Sequence, residues 1–261
     1  MKPPTRVPIA LVGPAVIAVA FLVLPLIGLL QRAAWSDLGA QLSDDSVIDA
    51  LRVSLIVSAS ATVVCVALGL PLAWSLARLD IPFPRLVRAL VILPMVLPPV
   101  VGGTALLFAL GRRGLVGQWL DEWFGITLPF TTAGAVVAAT FVALPFFVTT
   151  VEAALRQAGT DLEEAASTLG SGRWSTFVHV TLPGLRPAIG AGVALAWARA
   201  LGEFGATITF AGNLPGRTRT LPLETFVALE RDPETAIAIS VVLLTVSLVV
   251  LVTMRGRVSW R

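Results

Sequence analysis

The chain has very little of the residues on which most soluble chemistry depends. Lysine occurs once, at Lys2, histidine once, at His179, and cysteine once, at Cys65. A phosphate-binding loop of the form Gly-x-x-x-x-Gly-Lys-Ser/Thr needs its lysine to reach the phosphates. No such loop can be built here, so any nucleotide hydrolysis must come from another polypeptide. One His and one Cys cannot form a three- or four-ligand zinc site, and no metal site is expected. A Ser-His-Asp hydrolase would have to use His179, which has no nucleophile elbow beside it. A membrane enzyme is therefore disfavoured, and His179 reads as an interfacial or solvated residue. A single cysteine excludes an intrachain disulfide, and the apolar neighbours of Cys65 mark it as a packed thiol.

Charge is scarce too. Only 13% of residues are charged and 56% are apolar, whereas soluble domains carry about 25% charged residues. Val7–Leu30, Val53–Ala77, Ala89–Gly111, Trp123–Val151 and Thr235–Met254 hold no charge at all. Each can cross a hydrocarbon core, which takes about 20 residues of helix. A sixth candidate, Pro187 to about Ala206, is interrupted by Arg199 and Glu203. These runs do not alternate as barrel strands do. The class is an all-α, polytopic, multi-pass membrane protein, with about six transmembrane helices in the lipid bilayer. The first span is too long for a signal-peptide apolar region and reads as a retained helix.

The net charge of +3 does not suggest a nucleic-acid partner. Its distribution does carry information. With six spans and an inner N-terminus, eleven basic residues fall inside (Lys2, Arg6, Arg78, Arg85, Arg88, Arg156, Arg173, Arg186, Arg255, Arg257, Arg261) and seven outside. This asymmetry predicts cytoplasmic N- and C-termini. No 20–50-residue repeat is visible, which argues against repeat-built secondary transporters. Pro94, Pro98 and Pro99, followed by Gly102-Gly103, form the densest proline cluster within a span. Proline removes a helix hydrogen bond, and in a membrane the freed carbonyl needs a neighbour or a wet cavity. The cluster is a packing kink or a bend that lines a pathway.

The most polar interior stretch runs from Glu152 to Arg186. Thr160 is placed to cap a helix, with Glu163 returning the bond. Leu162, Ala165, Ala166 and Leu169 make one apolar stripe, and Asp161, Glu163 and Glu164 suit the helix dipole. Gly170 ends the helix as a left-handed cap requires. A second short helix follows, capped by Ser171, with Trp174, Phe177 and Val178 on its apolar face, and Pro183 closes the segment. Residue types alone fit either a hairpin lying on the membrane or a docking surface. The spacing of Glu164-Ala165-Ala166, Gly170 and Leu182-Pro183 resembles the EAA motif of importer-type ABC transporter permeases, with Val180 in place of the more usual isoleucine. That resemblance implies coupling helices at about residues 160–183. It also places Glu164, Ala165, Ala166 and Gly170 in a groove of an ATPase subunit.

The second informative stretch is Arg199 to Thr207. Arg199 and Glu203 are spaced to pair on one helix face. They lie roughly 20 and 25 Å along a helix counted from Arg186, at a depth where charge is costly. Gly202 and Gly205 permit close backbone approach. The pair is either a structural ion pair or part of a gate. Outside the span, Arg217-Thr218-Arg219 either faces an anion or is a solvated loop.

The run Gly202–Asn213 with Pro215–Leu223, supported by Pro71–Trp74, Leu93–Gly103 and Leu110–Gly114, is similar to the molybdate branch of the molybdate/sulfate permease family, over about residues 50 to 253. The resemblance implies a type I ABC importer permease fold. It divides the chain into an N-terminal helix and external loop (1–49), a permease domain (50–254) and a short basic tail (255–261). It further implies a second copy of the chain, ABC ATPase subunits that hold ATP and Mg, and an external oxyanion-binding protein, with no cofactor on this chain. The pathway or gate would involve Arg199, Gly202, Glu203, Gly205 and Thr207. The alternatives are a sulfate, thiosulfate or tungstate permease of the same family, and an ATP-independent channel or secondary transporter.

Overall fold

The computed structural model describes residues 9–255. Lys2, Arg6, Arg257, Arg261 and all but the first residue of the expected basic tail lie outside the described residues. Helices follow one another along the chain: α1 (Ile9–Arg32), α2 (Leu38–Leu42), α3 (Asp45–Arg78), α4 (Pro84–Val96), α5 (Pro99–Leu110), α6 (Gly117–Phe124), α7 (Thr132–Ala158), α8 (Asp161–Thr168), α9 (Arg173–Thr176), a π turn (Phe177–Thr181), α10 (Leu182–Leu201), α11 (Gly205–Phe210), α12 (Leu221–Arg231) and α13 (Pro233–Arg255).

The core is the junction of α3, α7 and α10. Its residues recur every fourth position: Val53, Val57, Ala61 and Cys65 on α3, and Ala135, Ala139, Ala143, Phe147, Val151 and Leu155 on α7. Lipid tails are as apolar as leucine, so helices in a membrane associate through close packing, and small residues allow it. One large ring fills the space that remains. Phe147 is fully buried and lies in a slot between two glycines of different helices. A Cβ on Gly69 of α3 would come within 2.6 Å of its Cδ1, and one on Gly192 of α10 within 3.0 Å of its Cδ2. Two hydroxyls at the core are satisfied within their own helices, Thr62 Oγ1 donating to Ser58 O (2.7 Å) and Thr140 Oγ1 to Val136 O (2.7 Å), the back-bonding that serine and threonine use mid-helix.

Four helices are long and apolar enough to cross a membrane (α1, α3, α7 and α13), and α4 with α5 makes a fifth if the bent pair is one span. The sixth expected span differs. α10 has 20 residues but carries Arg186, Arg199, Pro183 and Pro187, and it ends at Leu201 rather than Ala206. The proline cluster is a bend of 117° between α4 and α5. Pro94 lies inside α4, while Leu97 and Pro98 are extended (ψ 135° and 131°), because a following proline pushes its neighbour out of the helical region.

At the end of the bundle opposite α8, residues 41–54 meet residues 221–239. Val47 and Ala50 pack with Leu221 and Ile239. The Leu221 N–H donates to Ser54 Oγ (2.7 Å), and Ser46 Oγ donates to Glu224 Oε1 (3.1 Å). Arg219 is not a solvated loop residue. It donates to Asn213 Oδ1 (2.8 Å) and Glu224 Oε2 (3.2 Å). Asp44 caps α3 at Ser46, and Asp232 takes the Thr235 hydroxyl; these bonds hold both carboxyls below the usual carboxylate range. Their stabilising contribution is present above the unfolded value of about 3.9 and is lost as pH falls through the lowered folded values. α1 meets the rest through α13, and no residue of its apolar window is buried.

Phe147→Ala is expected to destabilise the protein by about 3–5 kcal/mol, read as a lowered unfolding midpoint in detergent. An unchanged midpoint would show that the ring does not wedge the three helices.

Candidate functional site

The Glu152–Arg186 stretch folds into two parts that differ in how they are held. α8 ends as expected. Gly170 has φ +84°, the Ser171 N–H donates to Ala166 O and the Gly170 N–H to Ser167 O (both 3.0 Å), a Schellman closure that glycine permits at no steric cost. The start of α8 is not the expected capping box. The Thr160 hydroxyl donates to Glu164 Oε1 (2.6 Å), and no side chain caps the first turn. Glu163 turns away to Arg78, because a charge-assisted two-point bond is stronger than one neutral backbone N–H. The apolar stripe faces outward: Leu162 is 73% and Leu169 88% exposed, and Ala165 is exposed beside a half-buried Ala166.

The second part departs further from expectation. Gly172, not Ser171, precedes α9, and Ser171 Oγ instead accepts from Thr176 Oγ1 (3.1 Å). Pro183 does not close the segment. α9, the π turn and α10 form one helical rod from Arg173 to Leu201. The Leu182 N–H reaches back five residues to Phe177 O, and this wider turn carries the backbone past Pro183, which has no N–H to offer. Leu182 and Pro183 therefore belong to the head of the rod. Trp174 is exposed, and Phe177 stacks edge-on against Trp74 of α3 at 6.1 Å between ring centroids. His179 is exposed, as expected.

Two carboxylates at this end gather the arginines. Glu163 accepts from Arg78 Nε (2.9 Å) and Nη2 (3.3 Å) and from Thr181 Oγ1 (2.8 Å), and Arg78 Nη2 also donates to Gly159 O (2.5 Å). Glu152 Oε1 accepts from both Arg88 Nε and Arg156 Nε at 2.9 Å. The Nη2 atoms of these two arginines both donate to Leu76 O (3.1 and 2.5 Å). Neither group was singled out as a site by the sequence. The available signal was arginine placed at span ends, but Arg78, Arg88 and Arg156 meet only because three helices end at the same place.

At the far end of the rod the expected Arg199–Glu203 pair forms, with Arg199 Nη2 at 2.6 Å from Glu203 Oε2 and side chains 26% and 1% exposed. It does not lie along one helix face. α10 stops at Leu201, and Glu203 Oε1 accepts the Ala206 N–H (2.8 Å) in the first turn of α11. The pair thus bridges a helix break. Gly205 is the close-approach glycine: a Cβ there would lie 2.7 Å from Pro99 Cβ. Gly202 is exposed and meets no other segment. Across the same contact, a Cβ on Gly103 would lie 2.8 Å from Ala206 O and 2.7 Å from Thr209 Cβ. The proline bend and the helix break therefore pack directly on one another. Thr207 is buried here, and its Oγ1 has no hydrogen-bond partner among the described residues. The α8 residues and the Arg199–Thr207 residues are not one site. They lie at opposite ends of a rod whose α10 portion alone is about 30 Å long. Among the described residues no three His, Cys, Asp or Glu side chains converge as a metal site.

Gly103→Ala is expected to push α5 from α11 and cost about 1–3 kcal/mol, measured as a drop in thermal midpoint. Wild-type stability would show that the contact is loose.

The family model described as "Binding-protein-dependent transport system inner membrane component" matches residues 66–256. The molybdenum transport system permease protein ModB of Mycobacterium tuberculosis is 45% identical over 257 residues, 98% of this chain and 97% of the relative. That match includes the first helix, which the resemblance read from the sequence left out. ModB of Escherichia coli is 46% identical over 181 residues (69% of this chain, 79% of the relative). The sulfate transport system permease protein CysT of Escherichia coli is 40% identical over 234 residues (88% and 84%). The crystal structure of a bacterial ABC transporter that imports the acidic polysaccharide alginate shares the fold, with a TM-score of 0.73 over 96% of this chain and 95% of that chain at 19% identity. From the helical architecture and these matches, the chain belongs to the family of inner membrane components of binding-protein-dependent transport systems, the ABC importer permeases.

Proposed function

We propose that this chain is the permease subunit of an ATP-driven molybdate importer. The observation that carries the substrate is the 45% identity to a molybdenum permease along nearly the whole chain, against 40% for the sulfate permease. The observation that supports coupling is the capped α8, whose Leu162 and Leu169 are left bare, as a helix that seats in another protein requires. In this reading two copies of the chain form the pathway between them. The α8 end faces the cytoplasm, in keeping with Arg78, Arg88 and Arg156 at that end. Two ATPase subunits receive Glu164, Ala165, Ala166 and Gly170, and an external oxyanion-binding protein docks on the opposite loops.

In this reading the rod carries the cycle. ATP binding draws the ATPases together and carries α8 with them; the rod transmits the displacement to the Arg199–Glu203 break; the contact of α11 with the α5 bend opens outward; hydrolysis resets it. Selection of the anion belongs to the binding protein. Arg199 is neutralised by Glu203, so the break offers an oxyanion no strong fixed charge. Sulfate, thiosulfate or tungstate is the second reading, favoured by the sulfate-permease likeness.

Uptake of labelled molybdate and sulfate by the reconstituted complex, with ATPase and binding protein, tests this. Molybdate uptake that depends on ATP and exceeds sulfate uptake supports it; flux without the ATPase would point to a channel. Gly170→Pro, which forbids the positive φ of the cap, and Glu164→Lys are expected to lose the ATPase on purification or cut uptake more than about tenfold. Normal assembly and uptake in both variants would refute the docking role of α8. Arg199→Ala strands a buried carboxylate, at a cost of about 3–5 kcal/mol. Wild-type assembly with wild-type uptake in that variant would remove the break from the mechanism.

A further inference from the structure

We infer that Glu163 is a positioning residue that latches α8 to the head of the rod and to the end of α3, so that force applied to α8 reaches the Arg199–Glu203 break. The inference rests on the coupling role proposed for α8.

Apolar packing does not hold α8 in place, because none of its residues is buried. Both of its ends are glycines with positive φ, Gly159 at +66° and Gly170 at +84°, and neither has a neighbour within 4 Å of an added Cβ. A helix set between two such joints, with none of its own side chains buried, swings unless something ties it down. A cavity of about 390 Å³ beside it, lined by Arg78, Glu163 and Thr181 among others, gives it room to do so.

The tie is the Glu163 carboxylate. One oxygen accepts from Thr181 in the π turn, and both accept from Arg78 at the end of α3. Arg78 in turn donates to Gly159 O, at the first of the two joints. One side chain therefore fixes α8 against the rod, against α3 and at its own hinge. Arg78 and Glu163 are 10% and 22% exposed, so the pair is screened far less than a surface pair, whose worth is about 0–1 kcal/mol. Glu164, next in sequence, bonds only Thr160 of its own turn, which leaves it available to a partner. The two adjacent carboxylates thus divide the work: Glu164 faces outward to the ATPase, and Glu163 faces inward to the permease.

The test uses the full complex in liposomes and reads molybdate transported per ATP hydrolysed. Glu163→Ala is expected to co-purify with the ATPase while transport per ATP falls at least about fivefold, the range of a 1–3 kcal/mol coupling. Thr181→Val, which removes the neutral bond and leaves the ion pair, should give a smaller fall. Glu163→Gln keeps an acceptor for both partners and should recover at least half of the lost ratio, which a purely charge-dependent fold defect would not allow. Glu163→Ala in an assembled complex with the wild-type ratio overturns the latch. If Glu163→Ala fails to assemble, Thr181→Val decides, and a wild-type ratio there overturns it equally. Failure of the underlying coupling role is separately visible, because Glu164→Lys and Gly170→Pro would then assemble and transport normally with Glu163 intact.

Discussion

The last turn of a helix leaves carbonyls with no partner of their own, and near lipid each unsatisfied group costs several kcal/mol. At one end of this bundle that demand is met by arginines donated from neighbouring segments. Arg88 and Arg156 both close on Leu76 O at the end of α3, and Arg78 closes on Gly159 O just beyond α7. Cations are also favoured at helix C-termini by the backbone dipole. Three guanidiniums brought together would repel one another without the two carboxylates between them, Glu152 and Glu163. The positions of α3, α4, α7 and α8 all depend on this exchange of caps.

From that anchored end the structure has two routes to its opposite end. The first is the three-helix core, in which alanines bring α3, α7 and α10 close and Phe147 fills the slot made by Gly69 and Gly192. Such a core moves as a block, because it has no loose volume to absorb a shift. The second is the rod itself, whose π turn continues through Pro183 instead of stopping there. Both routes reach the region where α10 breaks. There Glu203 is held by Arg199 on one side and holds the first turn of α11 on the other, and α11 lies backbone against backbone on the α5 bend. A transporter of this family needs one end to respond to the other, and here continuous helix, rather than loop, joins them.

Much of this was legible along the chain. Charge-free runs marked the long apolar helices, since burying charge in lipid is expensive wherever it falls. Gly170 announced a left-handed cap, Pro98-Pro99 a break and Arg199 with Glu203 a pair; each depends on neighbours within a few residues. The readings that failed share one feature, a competing partner from elsewhere. Spacing places Glu163 in a capping box, but Arg78, 85 positions away, offers it a stronger bond. Pro183 reads as a stop along the chain, but the π turn before it absorbs the missing N–H. Arg219, open in the sequence to a solvated reading, is drawn in by Asn213 and Glu224.

The amino-acid order alone determined that this is a helical membrane protein whose sequence holds no Gly-x-x-x-x-Gly-Lys-Ser/Thr loop, and that one polar knob stands out from it. These follow from residue type and short-range spacing. Tertiary structure alone decided which of two adjacent glutamates faces inward, that Arg199 and Glu203 span a break rather than a helix face, and that the knob sits at the head of the same rod that ends at the break. The physical reason is that a carboxylate, a backbone N–H or a freed carbonyl takes the best partner within reach, and reach is set by where the helices meet.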